Sequence, residues 1–326
     1  MESYRAASWL PNAHLQTIYA ALFAPRPRLP LRRTRWQTPD HDFIDLDWLA
    51  TSATEGPLVV LFHGLEGSSR SHYARSLMHA LAQRKWNGVI VHFRGCSGEP
   101  NRLARAYHSG DAAEIQWILN RLRLQHGRGP MLAIGISLGG NALLKWLGEY
   151  APASMETVSA ACAVSAPLDL VAAGNALDRG FNRAVYTRNF LRTLKRKSIA
   201  KLAKFPQMFD REAARHANTL RAFDDAVTAP IHGFRDAEDY WTRSSSKPWL
   251  AHIRVPTLVL NALDDPFLPA WALPQQDQVS AAVHLEFPPQ GGHVGFVSGA
   301  FPGSIEWMPR RILDFFDLTL SAAHCV

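Results

Sequence analysis

Gly135-Ile136-Ser137-Leu138-Gly139 sets a serine between two glycines, where an apolar run, MLAIGIS (131–137), meets a helical stretch, LGGNALLKWLGEY. A sharp strand-to-helix turn is the device that exposes a serine hydroxyl for attack. The glycines leave no side chain to clash in the bend, and the helix N-terminus offers N–H groups to a developing negative charge. The five-residue string is weak alone; the strand before it and the helix after it carry the reading. Such a hydroxyl needs a base near neutral pH, and the base needs an acid to orient it. In a sheet of this kind the acid and then the histidine follow the serine. TLVLNALDDPFLP supplies Asp264 and Asp265 just after an apolar run, and QGGHVGF supplies His293 in a glycine turn near the C-terminus. The predicted catalytic set is therefore Ser137, Asp265 and His293. Asp265 is preferred because it opens the turn at Asp-Pro, and Asp264 is its rival. His63-Gly64-Leu65-Glu66-Gly67 ends an earlier apolar run, where a loop can aim a backbone N–H at a carbonyl oxygen. Leu65 and Leu138 are the predicted oxyanion donors, and His63 is read as shaping the loop.

These residues need a frame, and the chain alternates strand and helix from residue 58 onward. LVVLFHG (58–64), GVIVHFRG (88–95), MLAIGIS (131–137), AACAVSAP (160–167), TLVLNAL (257–263) and HLEF (284–287) are apolar on both faces, as central strands of a parallel sheet are. HYARSLMHALAQR and the stretch from Asp111 to Gln125 read as helices between them. RRTRWQTP and DFIDLDWLA precede them as a hairpin of antiparallel edge strands. The rhythm breaks between Leu168 and Leu250, where apolar positions such as Phe181, Val185, Phe190 and Leu194 suit helices. The expected organisation is an α/β core of residues 1–167 and 251–326, with a helical cap insertion at 168–250. In that cap, Trp241 and Trp249 with Phe181 and Phe190 either line a pocket or pack the cap onto the core.

Composition bounds the rest. A chain of 326 residues, 47% apolar and 19% charged, is long enough for a large core and too apolar for a disordered segment. Cys96, Cys162 and Cys325 form no CxxC pair, so they read as reduced thiols in a cytoplasmic protein. No run of about 18 apolar residues occurs, and no transmembrane segment is expected. The net charge of +7 is local, because nine Lys and Arg and no acidic residue lie between Arg179 and Lys204. That run reads first as the solvated face of helices, second as weak peripheral attraction to anionic lipid, and last as a nucleic-acid contact, for which no module is present. Arg94-Gly95-Cys96-Ser97-Gly98 reads as a turn with a buried thiol, and His92 as a packed core histidine. No HExxH, GxxxxGK[ST] or GxGxxG occurs, so neither a metal nor a cofactor is expected. None of the 14 histidines has an Asp five residues later, which argues against an H-x4-D acyltransferase.

With those residues placed, the chain resembles the α/β-hydrolase superfamily and, more narrowly, the bacterial YheT-like hydrolases related to the eukaryotic ABHD1/2/3 group. SWLPNAHLQT, LFHGLEGSSRSHYARSL, HFRGCSGEPNR, RAYHSGD, GISLGGNALLKWLGE, NALDDPF and GGHVGF carry the resemblance, from about residue 8 to 297. It implies an α/β-hydrolase fold with a mostly parallel sheet. It also implies a serine carboxylester hydrolase for short- to medium-chain acyl esters or acylglycerols, with Ser137 as nucleophile, Asp265 as acid and His293 as base. The alternatives are a lyase or haloperoxidase on the same fold, or a lipid or small-molecule binding protein on that scaffold.

Overall fold

In the computed structural model, which describes residues 3–50 and 56–323, the apolar runs become the centre of an eight-stranded sheet; Cys325 lies outside the described residues. The strands are β1 (Leu31–Gln37), β2 (Phe43–Leu49), β3 (Leu58–Phe62), β4 (Asn87–His92), β5 (Met131–Ile136), β6 (Ala160–Val164), β7 (Thr257–Leu260) and β8 (Val283–Glu286). Their spatial order is β1-β2-β4-β3-β5-β6-β7-β8. Strands β4, β3, β5, β6, β7 and β8 run parallel, and the β1–β2 hairpin adds antiparallel to β4. Across that hairpin Arg33 faces Asp47 and Arg35 faces Asp45, each pair closed by a guanidinium–carboxylate contact of 2.7 Å.

The first helices are α1 (Ala13–Leu22), α2 (His72–Gln83), α3 (Ala112–His126), α4 (Leu138–Glu149) and α5 (Ala151–Thr157). Between β6 and β7 come α6 (Leu170–Leu177), α7 (Gly180–Asn182), α8 (Arg188–Lys201), α9 (Arg211–His216), α10 (Leu220–Phe223), α11 (Ala229–His232) and α12 (Ala237–Ser244), and α13 (Trp307–Ala323) closes the chain. Side chains alternate across each strand, so both faces of the sheet must be covered. Leu58, Val60 and Phe62 pack with Ile115, Ile118 and Leu119 of α3 and Leu143 of α4. Val59 and Leu61 turn the other way, onto Leu77 and Leu81 of α2 and Ile312 and Phe316 of α13.

The helices between β6 and β7 have a core of their own, in which Leu170, Leu177, Tyr186, Leu191, Phe223 and Trp241 pack with Phe267 of the core domain. Asp169, Asp210, Thr219 and Asp236 accept backbone N–H bonds at the starts of α6, α9, α10 and α12, which supplies local stop-and-start signals in a stretch without strands. Single π turns at Arg183–Thr187 and Asp224–Thr228 join α7 to α8 and α10 to α11.

Candidate active site

Ser137 sits between β5 and α4 with φ 52° and ψ −120°, a left-handed conformation that a side chain-bearing residue rarely adopts. Three neighbours hold it there. Its N–H donates to the Val164 carbonyl at 2.8 Å, tying the bend to β6. A Cβ on Gly139 would stand 2.5 Å from the Phe62 carbonyl oxygen, and one on Gly135 would stand 2.5 Å from the Gly139 carbonyl oxygen. The glycines are therefore demanded by close backbone approach, as the sequence pattern suggested. Asn141, fully buried on α4, then fixes the surroundings: its Nδ2 donates to the carbonyls of Ser109 and Ser244, and its Oδ1 accepts from the Ser246 N–H.

The structure brings Ser137, His293 and Asp265 together. His293 Nε2 lies 2.9 Å from Ser137 Oγ, and His293 Nδ1 lies 2.9 Å from Asp265 Oδ2. A carboxylate only accepts, so it holds the imidazole proton on Nδ1 and leaves the Nε2 lone pair facing the hydroxyl. Asp264, the rival, points elsewhere: its Oδ1 accepts the Gly292 N–H at 2.9 Å. Burial, with the Asp265 charge beside it, pushes the Asp264 carboxyl upward.

Several residues that position His293 were not singled out from sequence. Its N–H donates to Thr17 Oγ1 at 2.8 Å, and the Gln16 Oε1 accepts the Val297 N–H at 2.9 Å. Ser165 Oγ accepts the Val294 N–H, and His72 Nε2 donates to the Val294 carbonyl. Phe267 stacks on the imidazole, with ring centroids 3.9 Å apart, while its N–H donates to Asp265 Oδ1. Gln16 and Thr17 are polar side chains that α1 buries beneath the His293 loop, and their sequence spacing alone does not announce it.

Leu65 and Leu138 flank the same point. A Cβ on Gly64 would stand 3.1 Å from Ser137 Cβ, so the Gly64–Leu65 backbone passes directly over the serine. The loop is pinned on both sides of Leu65: Tyr73 Oη accepts the Gly64 N–H, and Tyr107 Oη accepts the Glu66 N–H, both at 2.9 Å. Among the described residues, neither the Leu65 nor the Leu138 N–H has a hydrogen-bond acceptor. His63 is wholly buried, donates to the Gly64 carbonyl through Nδ1 and accepts the Phe93 N–H at Nε2; burial pushes it down to about 3. It shapes the loop. His92 is buried against Asp47 at 2.8 Å, and the Cys96 thiol is buried and pushed up to about 12 by desolvation.

The triad opens into a cavity roofed by the helices between β6 and β7 and lined by Leu65, Leu138, Ser137 and His293. Trp241 and Phe190 line it. Trp249 instead packs against α4, where a Cβ on Gly148 would meet it at 2.7 Å, and Phe181 is half exposed beside His14. The basic run is not simply a solvated face. Arg179, Arg183, Arg188, Arg192, Arg196 and Lys204 are exposed, but Lys197 and Lys201 turn into the cavity. The sequence could not show this, because the π turn at Arg183–Thr187 resets the helical phase before α8. Among the described residues no cluster of three or more His, Cys, Asp or Glu could hold a metal ion, and no helix is long and apolar enough to cross a membrane.

Asp224 also lines the cavity, half-buried, accepting bonds from Trp241 Nε1 and Thr228 Oγ1. Burial pushes its carboxyl up to about 7 from an ordinary 3.8. Between those values the folded chain holds a proton that the unfolded chain has released, so this group's contribution to stability falls as pH rises and levels off above pH ~7. Asp224→Asn keeps the Trp241 bond on its Oδ1 and reverses the Thr228 bond, its Nδ2 donating to Oγ1, so both contacts persist without the ionisation. The variant is expected to gain on the wild type by about 3 kcal/mol between pH ~4.5 and ~8. Paired denaturant melts at the two pH values check this; a constant difference between the proteins would refute it.

Comparison with known proteins agrees with this fold. The family model described as the alpha/beta hydrolase fold matches residues 57–300. The Escherichia coli (strain K12) protein YheT, named as an esterase, is 40% identical over 318 residues, covering 96% of this chain and 93% of that protein. Phospholipase ABHD3 of Mus musculus is 27% identical, covering 99% of this chain and 80% of that protein. Among solved structures, the Pyrococcus furiosus esterase Pf2001 shares the fold at a TM-score of 0.57 and 16% identity, covering 91% of this chain and 97% of that one.

Proposed function

Because the chain belongs to the α/β-hydrolase fold family, in its YheT-like branch, we propose that it is a serine carboxylester hydrolase for small acyl esters or acylglycerols. The observation that carries the reading is the unbroken line of hydrogen-bonding atoms from Asp265 through His293 to Ser137, ending in a cavity. The names of the relatives, an esterase and a phospholipase, support hydrolysis of an ester.

In this mechanism His293 Nε2 removes the Ser137 proton as Oγ attacks the ester carbonyl carbon. Asp265 holds the imidazole and stabilises the imidazolium. The carbonyl oxygen, now an anion, is held by the N–H groups of Leu65 and Leu138, whose freedom from other acceptors leaves them poised for it. The intermediate collapses, the carbon–oxygen bond to the alcohol breaks, and His293 gives that alcohol its proton. Water then attacks the acyl-enzyme by the reverse steps, releasing the acid and restoring Ser137. Residues 168–250 act as the cap, whose apolar side chains take the acyl chain. A panel of p-nitrophenyl esters from C2 to C16 tests this. Turnover is expected with an optimum at short or medium chains and a fall at long ones. No turnover of any ester would leave the fold but remove the reaction.

A further inference from the structure

An ester presents two halves to its hydrolase, and this cavity has two chemically different compartments. Leu170, Ala173, Leu177, Leu220, Val227 and Ile231 supply an apolar lining suited to an acyl chain. The loop after β4 and the inward edge of α8 supply a polar lining instead, including Asn101, Tyr107, Lys197 and Lys201, with His108 and His232 adjoining.

The charges in the polar compartment do not cancel. Lys197 Nζ is paired with Glu66 at 2.8 Å. Lys201 Nζ donates only to two carbonyls, those of Ala104 at 3.2 Å and Arg105 at 3.0 Å. An ammonium has three N–H donors, so one remains. Among the described residues no carboxylate lies within ion-pair distance of Lys201, although the side chain is largely buried. Desolvation pushes it down to about 8; the Asp42 charge opposes that without touching Lys201, while Arg94 and Lys197 push it further down. His232, whose ring lies tilted by 56° against that of His108 with centroids 4.5 Å apart, is likewise pushed down by burial, then by His108 and, against an opposing Asp111, by Arg105 and Lys201. Neither ring nitrogen of His232 has a hydrogen-bond partner among the described residues. A desolvated ammonium with a spare N–H, beside an imidazole with unused nitrogens, is a cavity wall built for an oxyanion.

Resting on the esterase reading, we propose that this compartment binds an anionic group, a phosphate monoester or a carboxylate, on the alcohol half of the substrate. The preferred substrates are then anionic acyl esters. Neutral esters of the same chain length react through the triad but leave Lys201 uncompensated. A purely structural Lys201, serving only to tie α8 to the 104–105 carbonyls, would give no such preference.

The test compares three octanoyl esters: of glycerol, of glycerol 3-phosphate and of glycerate. Wild type is expected to show kcat/KM at least about tenfold higher for one or both anionic esters than for the neutral one. The two anionic arms separate phosphate from carboxylate. Lys201→Met, which keeps the apolar stem, should lose that advantage, its kcat/KM for the anionic esters falling to within about threefold of its own value for the neutral one. Lys201→Arg should keep most of it. Equal rates for all three esters in wild type, or an equal loss on all three in Lys201→Met, would overturn the proposal while leaving the esterase intact. Calorimetric binding of glycerol 3-phosphate and glycerate is independent of turnover, so it tests the compartment even if no ester is hydrolysed. Binding to wild type and not to Lys201→Met is expected; no binding of either anion to wild type would overturn it.

Discussion

Ser137→Ala is expected to lower kcat on p-nitrophenyl butyrate by about 10⁵- to 10⁶-fold, leaving only the acceleration that binding and the oxyanion donors provide. The argument is geometric. Ser137 Oγ is the one hydroxyl facing His293 Nε2, at 2.9 Å, and removing it leaves the base with no proton to take. The substitution should not disturb the fold. The backbone at φ 52° already carries a Cβ, so alanine adds no clash, and an unfolding free energy within about 1 kcal/mol of wild type is expected. His293→Ala should cost a similar factor, because nucleophile and base act as a unit, and the double variant should lose little beyond either single one. Fluorophosphonate labelling of wild type and not of Ser137→Ala gives a second readout independent of the chosen ester. Retention of more than about one per cent of wild-type kcat in Ser137→Ala would place the nucleophile elsewhere.

The elbow was legible from sequence because its constraint is local. Only glycine fits where a Cβ would stand 2.5 Å from a carbonyl oxygen, so Gly135 and Gly139 mark the bend in any chain that makes it. The parallel strands were legible for a similar reason: β3 and β5 are buried on both faces, and an unbroken apolar run is the result. The supports of the His293 loop were not. Thr17 lies 276 residues before His293, and nothing in the spacing of either segment reveals that one hydroxyl accepts the other's N–H. Polar residues on α1 look like a solvated face until the loop that covers them is in place.

The helices between β6 and β7 were the least legible part, and the cause is again physical. Helical periodicity predicts which residues share a face only while the helix keeps its phase. The π turns at Arg183–Thr187 and Asp224–Thr228 break that phase in the two helices that roof the cavity. A run of nine cations therefore read as one exposed patch, whereas it divides into an outer set and the pair Lys197 and Lys201 facing inward. The inward turn of Asp224 escaped notice on the same ground, since Asp224 and Asp225 are adjacent acids of which the first lines the cavity and the second is exposed.

The adjacent acids at 264 and 265 set up the second large effect. Asp265→Asn is expected to lower kcat by about 10⁴-fold with an intact fold, and Asp264→Asn to change it by less than about threefold. Asp265 Oδ1 accepts the Phe267 N–H at 2.8 Å, while Oδ2 faces His293 Nδ1 at 2.9 Å. An asparagine at 265 keeps its carbonyl oxygen on the Phe267 N–H, because its NH₂ cannot accept that bond. The NH₂ is thereby turned toward His293 Nδ1 and donates to it. The imidazole must then carry its proton on Nε2, where it can no longer accept the Ser137 proton. The loss comes from a wrong tautomer, not from a missing contact. Asp264 presents the opposite case. Its Oδ1 accepts the Gly292 N–H at 2.9 Å, and an asparagine oxygen makes the same bond. Steady-state kinetics on the two variants, with melting curves to show that both fold, separates them. A collapse of kcat in Asp264→Asn with Asp265→Asn near wild type would move the acid to the neighbouring position. Comparable small losses in both would mean that His293 is oriented by its Thr17 bond and the Phe267 ring alone, and the line from carboxylate to serine would carry no catalysis.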